Sequence, residues 1–589
     1  MNKEAILHIP MSQFAFPLSE NRVVFRLRTK KNDIAECFIF YGDRSCQKTP
    51  VDFFSLQMEK IAYDEIFDWY EIEFESPFKR ICYYFYLKDL NDSVIFYYGD
   101  QFSNHLENER SYYFQLPYLH RSDLITNPDW ISNLKVYNIF PDSFATGKRH
   151  ISGNPIIKAY HDKITRGKQG GTIKGIIENL DYIKDLGFNC IYLNPIFVAG
   201  EYHKYDLIDY YDIDPCFGSK DDFKTLVNKI HEQGMKIIID GVFNHCGWHF
   251  FAFEDVVKNG KKSKYWSWFY RLEEPIKIPD NYETIPSYEC FGYERKMPKL
   301  ATDKIEVQNY FCEVGKYWVK EMNIDGWRLD VASEVNDFFW REFRKTVKDE
   351  KKDCILIGEV WETANHWLDG SIFDSTMNYD FRRYCKEFFA DSCSASTFNG
   401  YITSMLMRYR WPTLLSQLNL LDSHDVSRFY SVCKENKKAY HLALVFLMTF
   451  CGIPCLFYGD ELCLSGVEEK DYRQSMPWEK LKDQKNTKTI EFLRLLTNLR
   501  SKEEALQKGV FKTVKADKDN NLFIYQRILK NEDIKEDQKN INIFLNNDNY
   551  SHEISFCTNS IVLLSEGFEE KNNSKGSLSK YGFLIIKEK

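Results

Sequence analysis

The residues most able to do chemistry stand at the ends of apolar runs. Asp240 closes KIIID, and His245 follows five positions later. In IDGWRLDV, Arg328 and Asp330 are two apart, which in an extended strand points both to one face. Glu359 follows CILIG, and His424 and Asp425 follow LLSQLNLLDS. Charged side chains on an otherwise apolar face are costly unless paired with each other or with a ligand. Three carboxylates brought by three strand ends to one rim can flank an acetal carbon, one ionised as nucleophile and one protonated as acid. Arg328 beside Asp330 predicts an ionised Asp330. Glu359, crowded by Asp330 and Asp425, is expected to keep its proton. Asp425 is then left to hold hydroxyls and stabilise developing positive charge. Any one of these Asp residues could equally belong to a structural ion pair; it is their recurrence at several strand ends that favours chemistry.

The elements that must position them follow from periodicity. From about Lys135, near-continuous apolar strands alternate with amphipathic helices, about eight of each. This predicts an α/β chain, a (β/α)8 TIM barrel over 123–504 with its site at the C-terminal strand ends. About sixty residues separate His245 from the helix beginning near Val307, too many for a plain connection, so an inserted B subdomain is expected at about 247–303. Before the barrel, short alternating and β-branched segments such as VVFRLRT and RICYYFYLKD predict an N-terminal β-sandwich over 1–122. Similar segments after it, GVFKTVKA to YGFLIIKEK, predict a C-terminal all-β domain over 505–589, with NEDIKEDQKN as a solvated loop. GTIKGIIENLDYIKDLG reads as one helix and NCIYLNPIF as one strand.

Composition narrows the partners. The 589 residues carry 78 Lys and Arg against 86 Asp and Glu, a net charge of -8, which argues against nucleic acid. Aromatics make up 16%, suited to sugar stacking but also to ordinary cores. The 16 cysteines are scattered singly, as buried thiols of a reducing compartment would be. The N-terminus has no apolar leader segment, and Leu442 to Phe457 is broken by Gly452 and Pro454, so no membrane association and a cytoplasmic location are expected.

DGVFNH (240–245), GWRLDV (326–331), GEVW (358–361) and LLDSHD (420–425) resemble, in order, the four short motifs of the α-amylase family of glycoside hydrolases. The resemblance implies Asp330 as nucleophile, Glu359 as acid/base and Asp425 as transition-state stabiliser. It implies sugar contacts from Asp240, His245, Arg328 and His424, with His203 and Tyr205 of EYHKYD beside them. MPKL (297–300), the N-terminal sandwich and HKYD…DYYDIDPCFG are similar to the cyclomaltodextrinase, neopullulanase and maltogenic amylase subgroup. That subgroup implies α-glucan oligosaccharides, cyclodextrins and pullulan as substrates, transglycosylation, and a homodimer formed through the N-terminal domain. Trp361 matches a substrate-binding position, and Phe291 and Tyr293 are further candidate platforms.

Departures matter as well. Ala301 stands where Asn often follows MPKL, and Glu362 where His is common, which leaves acceptor preference open. FPDSFATGKRH and GGTIKG carry Thr146, Lys148, Arg149 and Thr172 where calcium-binding relatives supply Asn and Asp. Calcium takes six to eight oxygens with net negative charge, so no metal and no cofactor are expected there. An intracellular α-amylase or α-glucosidase is the alternative enzyme. A catalytically silent scaffold subunit would have lost the carboxylates this chain keeps.

Overall fold

The computed structural model describes residues 1–99, 101–147, 169–281, 283–391, 393–482, 484–529 and 540–588. Lys148, Arg149 and most of NEDIKEDQKN lie outside them.

The N-terminal segment folds into two antiparallel sheets. One runs Ala15–Pro17, Arg22–Lys30, Phe67–Glu75, Glu59–Tyr63; the other is centred on Ile34–Asp43 and Ile81–Asp89. Alternation decides the faces: Tyr83, Phe85 and Leu87 pack on Val23, Phe25 and Leu27 in one core, while Cys82 and Tyr84 pack on the opposite face with Val51 and Tyr113. The C-terminal strands, from Val510–Ala516 to Lys575–Lys587, form a six-stranded antiparallel sheet around Leu522, Phe544, Leu584 and Ile586. Residues 387–415, read from the sequence as part of the barrel domain, pack with these β segments in one unit. Asn399 Nδ2 donates to Tyr63 O (2.7 Å), Arg26 Nη1 to Tyr409 O (2.7 Å) and Asn547 Nδ2 to Phe388 O (2.6 Å).

The second unit, 127–386 with 416–503, holds a closed barrel of eight strands. These are β1 (Val136–Ile139), β2 (Cys190–Leu193), β3 (Lys236–Gly241), β4 (Gly326–Leu329), β5 (Ile355–Gly358), β6 (Ser375–Asn378), β7 (Leu418–Leu420) and β8 (Ile453–Phe457). Each pairs in parallel with the next, and β8 closes on β1. Val136, Tyr192, Ile238, Ile357, Leu418 and Cys455 fill the interior. Gly326 is required by the β4–β5 approach, since a Cβ there would lie 2.4 Å from Ile355 Cγ2. The outer helices bury one stripe: Lys220–Glu232 starts at a Ser219/Asp222 capping box and buries Phe223, Leu226, Val227 and Ile230.

Two sequence readings are corrected. GTIKGIIENLDYIKDLG is two helices, Ile173–Glu178 and Leu180–Asp185, because Asn179 leaves helical geometry and its Nδ2 donates to Gly175 O (2.8 Å). NCIYLNPIF is β2 followed by a separate strand, Phe197–Ala199, paired antiparallel with Leu207–Ile213; Pro195 between them cannot continue a central ladder. The long connection after β3 holds the helix Phe251–Asn259 and the small antiparallel pair Cys290–Phe291 and Glu294–Pro298.

Candidate active site

The C-terminal ends of β3, β4 and β5 converge on Arg328. It is fully buried on β4, and Nη1 donates to both oxygens of Asp240 (2.8 and 3.0 Å) and to Asp330 Oδ1 (2.8 Å). Its Nη2 lies 2.8 Å from Glu359 Oε1, an ion pair whose angle does not make a hydrogen bond. One guanidinium thus serves three carboxylates. Glu359 also accepts from the Val331 amide (2.9 Å) and the Trp361 indole (3.1 Å). Val331 reaches that position with φ 46°, a left-handed conformation that a β-branched residue rarely adopts. Such strain persists only where the surroundings over-determine it, as they do between two carboxylates that must be aimed.

The electrostatics differ from the sequence reading. An ionised Asp330 was expected from Arg328 two residues away on the same strand face. Burial pushes the Asp330 carboxyl well above its ordinary range, and Glu359, Asp240 and Asp425 push the same way against the shared Arg328. Asp425 goes the other way. Burial opposes its charge, but His424 (2.9 Å), Arg328 and Arg473 (3.4 Å) outweigh burial and hold it below the usual carboxylate range.

A cavity of about 640 Å³ opens above this cluster, with Asp330, Glu359, Asp425 and Trp361 in its wall. His203, Tyr205 and His245 complete one side. Asp240, Arg328 and His424 lie beneath the lining, behind Tyr205, whose hydroxyl donates to Asp240 Oδ2 (2.9 Å) and meets His424 Nε2 (2.5 Å). The Tyr205 and His424 rings stack at 5.4 Å and 7°. Burial pushes His245 down to about 3 and His203 down to about 4, so both are neutral near pH 7. The loop carrying His203 and Tyr205 is anchored by Lys204, left-handed at φ 65°, whose ammonium is buried 2.9 Å from Asp214.

Of the candidate platforms, Phe291 lines the cavity and stacks on His245 at 4.9 Å, and Trp361, half-exposed, stacks on Tyr379 at 3.7 Å. Tyr293 is 84% exposed and does not line it. MPKL belongs to the same wall: Met297 lines the cavity, Lys299 Nζ pairs with Glu334 (3.0 Å), and Leu300 N donates to Asn244 O (3.0 Å). Sequence reasoning missed Arg473, which bonds His424 O (2.7 Å) and Glu469 (2.7 Å) from a loop after β8 with no periodic signal. It also missed Tyr192 and Asn194, whose side chains fix Asp240 and His424 (2.7 and 2.9 Å). Tyr192 sits inside an apolar strand and belongs to no motif that would single it out.

Part of the segment in which no calcium is expected, residues 148–168, lies outside the described residues. Asp142 already accepts the Gln169 and Gly170 amides (3.2 Å each), and the Thr172 hydroxyl accepts Gly175 N as a helix cap (3.0 Å). Among the described residues no group of three or more His, Cys, Asp or Glu could hold a metal ion.

An eight-stranded barrel that presents acidic side chains at its strand ends, fixed around one guanidinium at the base of a cavity, is the architecture of an enzyme that hydrolyses glycosidic bonds. Residues 138–505 match the alpha-amylase catalytic domain and residues 1–120 the alpha-amylase N-terminal ig-like domain. The chain is 42% identical to a cyclomaltodextrinase of Thermoanaerobacter pseudethanolicus, covering 88% of this chain and 89% of the relative. It is 38% identical to neopullulanase 2 of Thermoactinomyces vulgaris, covering 90% of each. A solved cyclomaltodextrinase structure superposes with a TM-score of 0.90 at 33% identity over all of both chains. The chain belongs to the alpha-amylase family and is a glycosidase.

Proposed function

We propose that the chain is a retaining hydrolase of α-1,4-glucosidic bonds in cyclodextrins, pullulan and maltooligosaccharides, with transfer to sugar acceptors. In this reading Asp330 attacks the anomeric carbon while Glu359 protonates the departing oxygen; Glu359 then takes a proton from water or an acceptor hydroxyl, which releases the sugar. Asp425, kept charged by His424 and Arg473, stabilises the oxocarbenium-like transition state. Neutral His203 and His245 act as hydrogen-bond partners to the sugar, and Tyr205 and Phe291 supply faces for it to stack on.

The observation that carries the reading is the sharing of Arg328. Asp330 and Glu359 both reach one guanidinium, each 2.8 Å from it, so the two carboxyl groups face the same point of the cavity, as a nucleophile and an acid acting on one anomeric carbon must. Arg328 also supplies the positive charge that opposes the effect of burial on Asp330.

The substrate class rests on the named relatives, on MPKL in the cavity wall and on the two-domain match. No described helix is long and apolar enough to cross a membrane; a cytoplasmic location belongs to the same reading and is supported by relatives named intracellular maltogenic amylase. A homodimer through the N-terminal domain belongs to the same reading. The test is a product profile on β-cyclodextrin, pullulan and soluble starch given separately. Fast cyclodextrin opening to maltose and glucose, panose from pullulan and slow starch digestion are expected. Rapid starch digestion with cyclodextrin untouched would make it an ordinary α-amylase.

A further inference from the structure

A second cavity, of about 460 Å³, lies wholly within the N-terminal β residues, and Arg44, Arg80 and Arg110 line it with Ser45, Ser111 and Gln115. We propose that this cavity binds a small phosphate monoester, the phosphoryl group on the three arginines and a sugar-sized remainder against the neutral side chains.

The charges are placed and left uncompensated. Arg110 is fixed by main-chain carbonyls: Nη1 donates to Arg44 O (3.3 Å) and Nη2 to Cys46 O. Gln115 Nε2 in turn donates to Arg110 O (3.2 Å) and Tyr113 O (3.1 Å), which holds that segment. Carbonyls orient a guanidinium without neutralising it. No carboxylate within 4 Å pairs with Arg44, Arg80 or Arg110 among the described residues. The acids nearest in sequence are otherwise engaged, Asp43 by the Ser45 amide (2.8 Å) and Glu109 by the Ser111 hydroxyl (3.2 Å). Arg44 and Arg80 are exposed and Arg110 is half-buried, so an incoming anion meets three guanidinium groups without having to displace an ion pair.

The base of the cavity is rigid. Cys82 is paired to Gly42 on one side and Gln115 on the other, and Arg44 N donates to Arg80 O (3.1 Å), so Arg44 and Arg80 flank the ends of paired strands. The three arginines themselves lie just outside the strands, Arg44 and Arg80 in the flanking turns and Arg110 in the short 3-10 turn Arg110–Tyr112. Planar forks match phosphate bidentately, and a doubly charged monoester gains more from three of them than a carboxylate does. The volume exceeds what phosphate needs and falls within the range of small-molecule sites.

The test is isothermal titration of the full chain at low ionic strength with glucose 6-phosphate, inorganic phosphate and glucose, repeated with the double variant Arg44→Gln/Arg80→Gln. The expected result is one site with a dissociation constant below about 1 mM for the ester, no binding of glucose there, and affinity weakened about tenfold or more in the variant. The variant's cyclodextrin hydrolysis and melting temperature without ligand should match those of the parent. Phosphate alone binding as tightly as the ester would confine the site to the phosphoryl group. Absence of binding, equal binding in the variant, or equal displacement by chloride at the same ionic strength would overturn the proposal.

Discussion

Roles at the residue scale hinge on how charge is distributed around Arg328. Asp330→Asn is expected to leave less than about 1% of activity with the fold intact, measured as β-cyclodextrin turnover and circular dichroism. Arg473 helps keep Asp425 ionised, so Arg473→Met should raise the Asp425 pKa and move the acid limb of the kcat/KM profile to higher pH. An unmoved or lowered limb would remove Arg473 from that role. Asp206, which directly follows Tyr205 in EYHKYD, is pushed up to about 7 by burial. Its folded pKa exceeds the unfolded value near 3.9, so the unfolded state sheds its proton first as pH rises. The wild type therefore loses stability between about pH 4 and 7, with a ceiling of about 4 kcal/mol. Asp206→Asn, whose Oδ1 can still accept the Glu201 amide, should match the wild-type melting temperature at pH 4 and exceed it at pH 7.5. A constant difference across pH would contradict this.

At the scale of elements, the site depends on loops whose geometry the strands do not dictate. Lys204→Met would strand the buried Asp214 carboxylate, at a cost of about 3–5 kcal/mol, and lower both the melting temperature and the affinity of a subsite that relies on Tyr205. Replacing both partners with apolar residues should recover much of the stability; thermal melts of the single and double variants decide it. What could be read from the sequence at this scale has a physical pattern. Strand ends such as KIIID and GWRLD announce themselves together, because charges recurring after several apolar runs have few structural uses in common. Asn179 and Pro195 broke elements that periodicity alone had joined. Arg473, Asn194 and Tyr192 were not legible, since their importance comes from partners distant in sequence that only the closed barrel brings near. The shared Arg328 was likewise hidden: spacing paired it with Asp330 but could not reveal Asp240 and Glu359 on the same guanidinium.

For the whole molecule, the barrel was legible because eight buried parallel strands leave an apolar signature that few other folds produce. The packing of 387–415 with the two β segments was not, because helical periodicity says which face is buried but not against what. Excess chelator is expected to leave melting temperature and activity unchanged; a clear fall in either would show a metal that the Asp142 surroundings do not suggest. The most direct test of the central claim is to trap the glycosyl-enzyme. The chain, or its Glu359→Gln variant, would be treated with a 5-fluoro-α-glucosyl fluoride, digested with protease and mapped by mass spectrometry. A single hexosyl adduct on Asp330 is predicted. An adduct on Asp425, or no adduct together with β-configured first products, would contradict it.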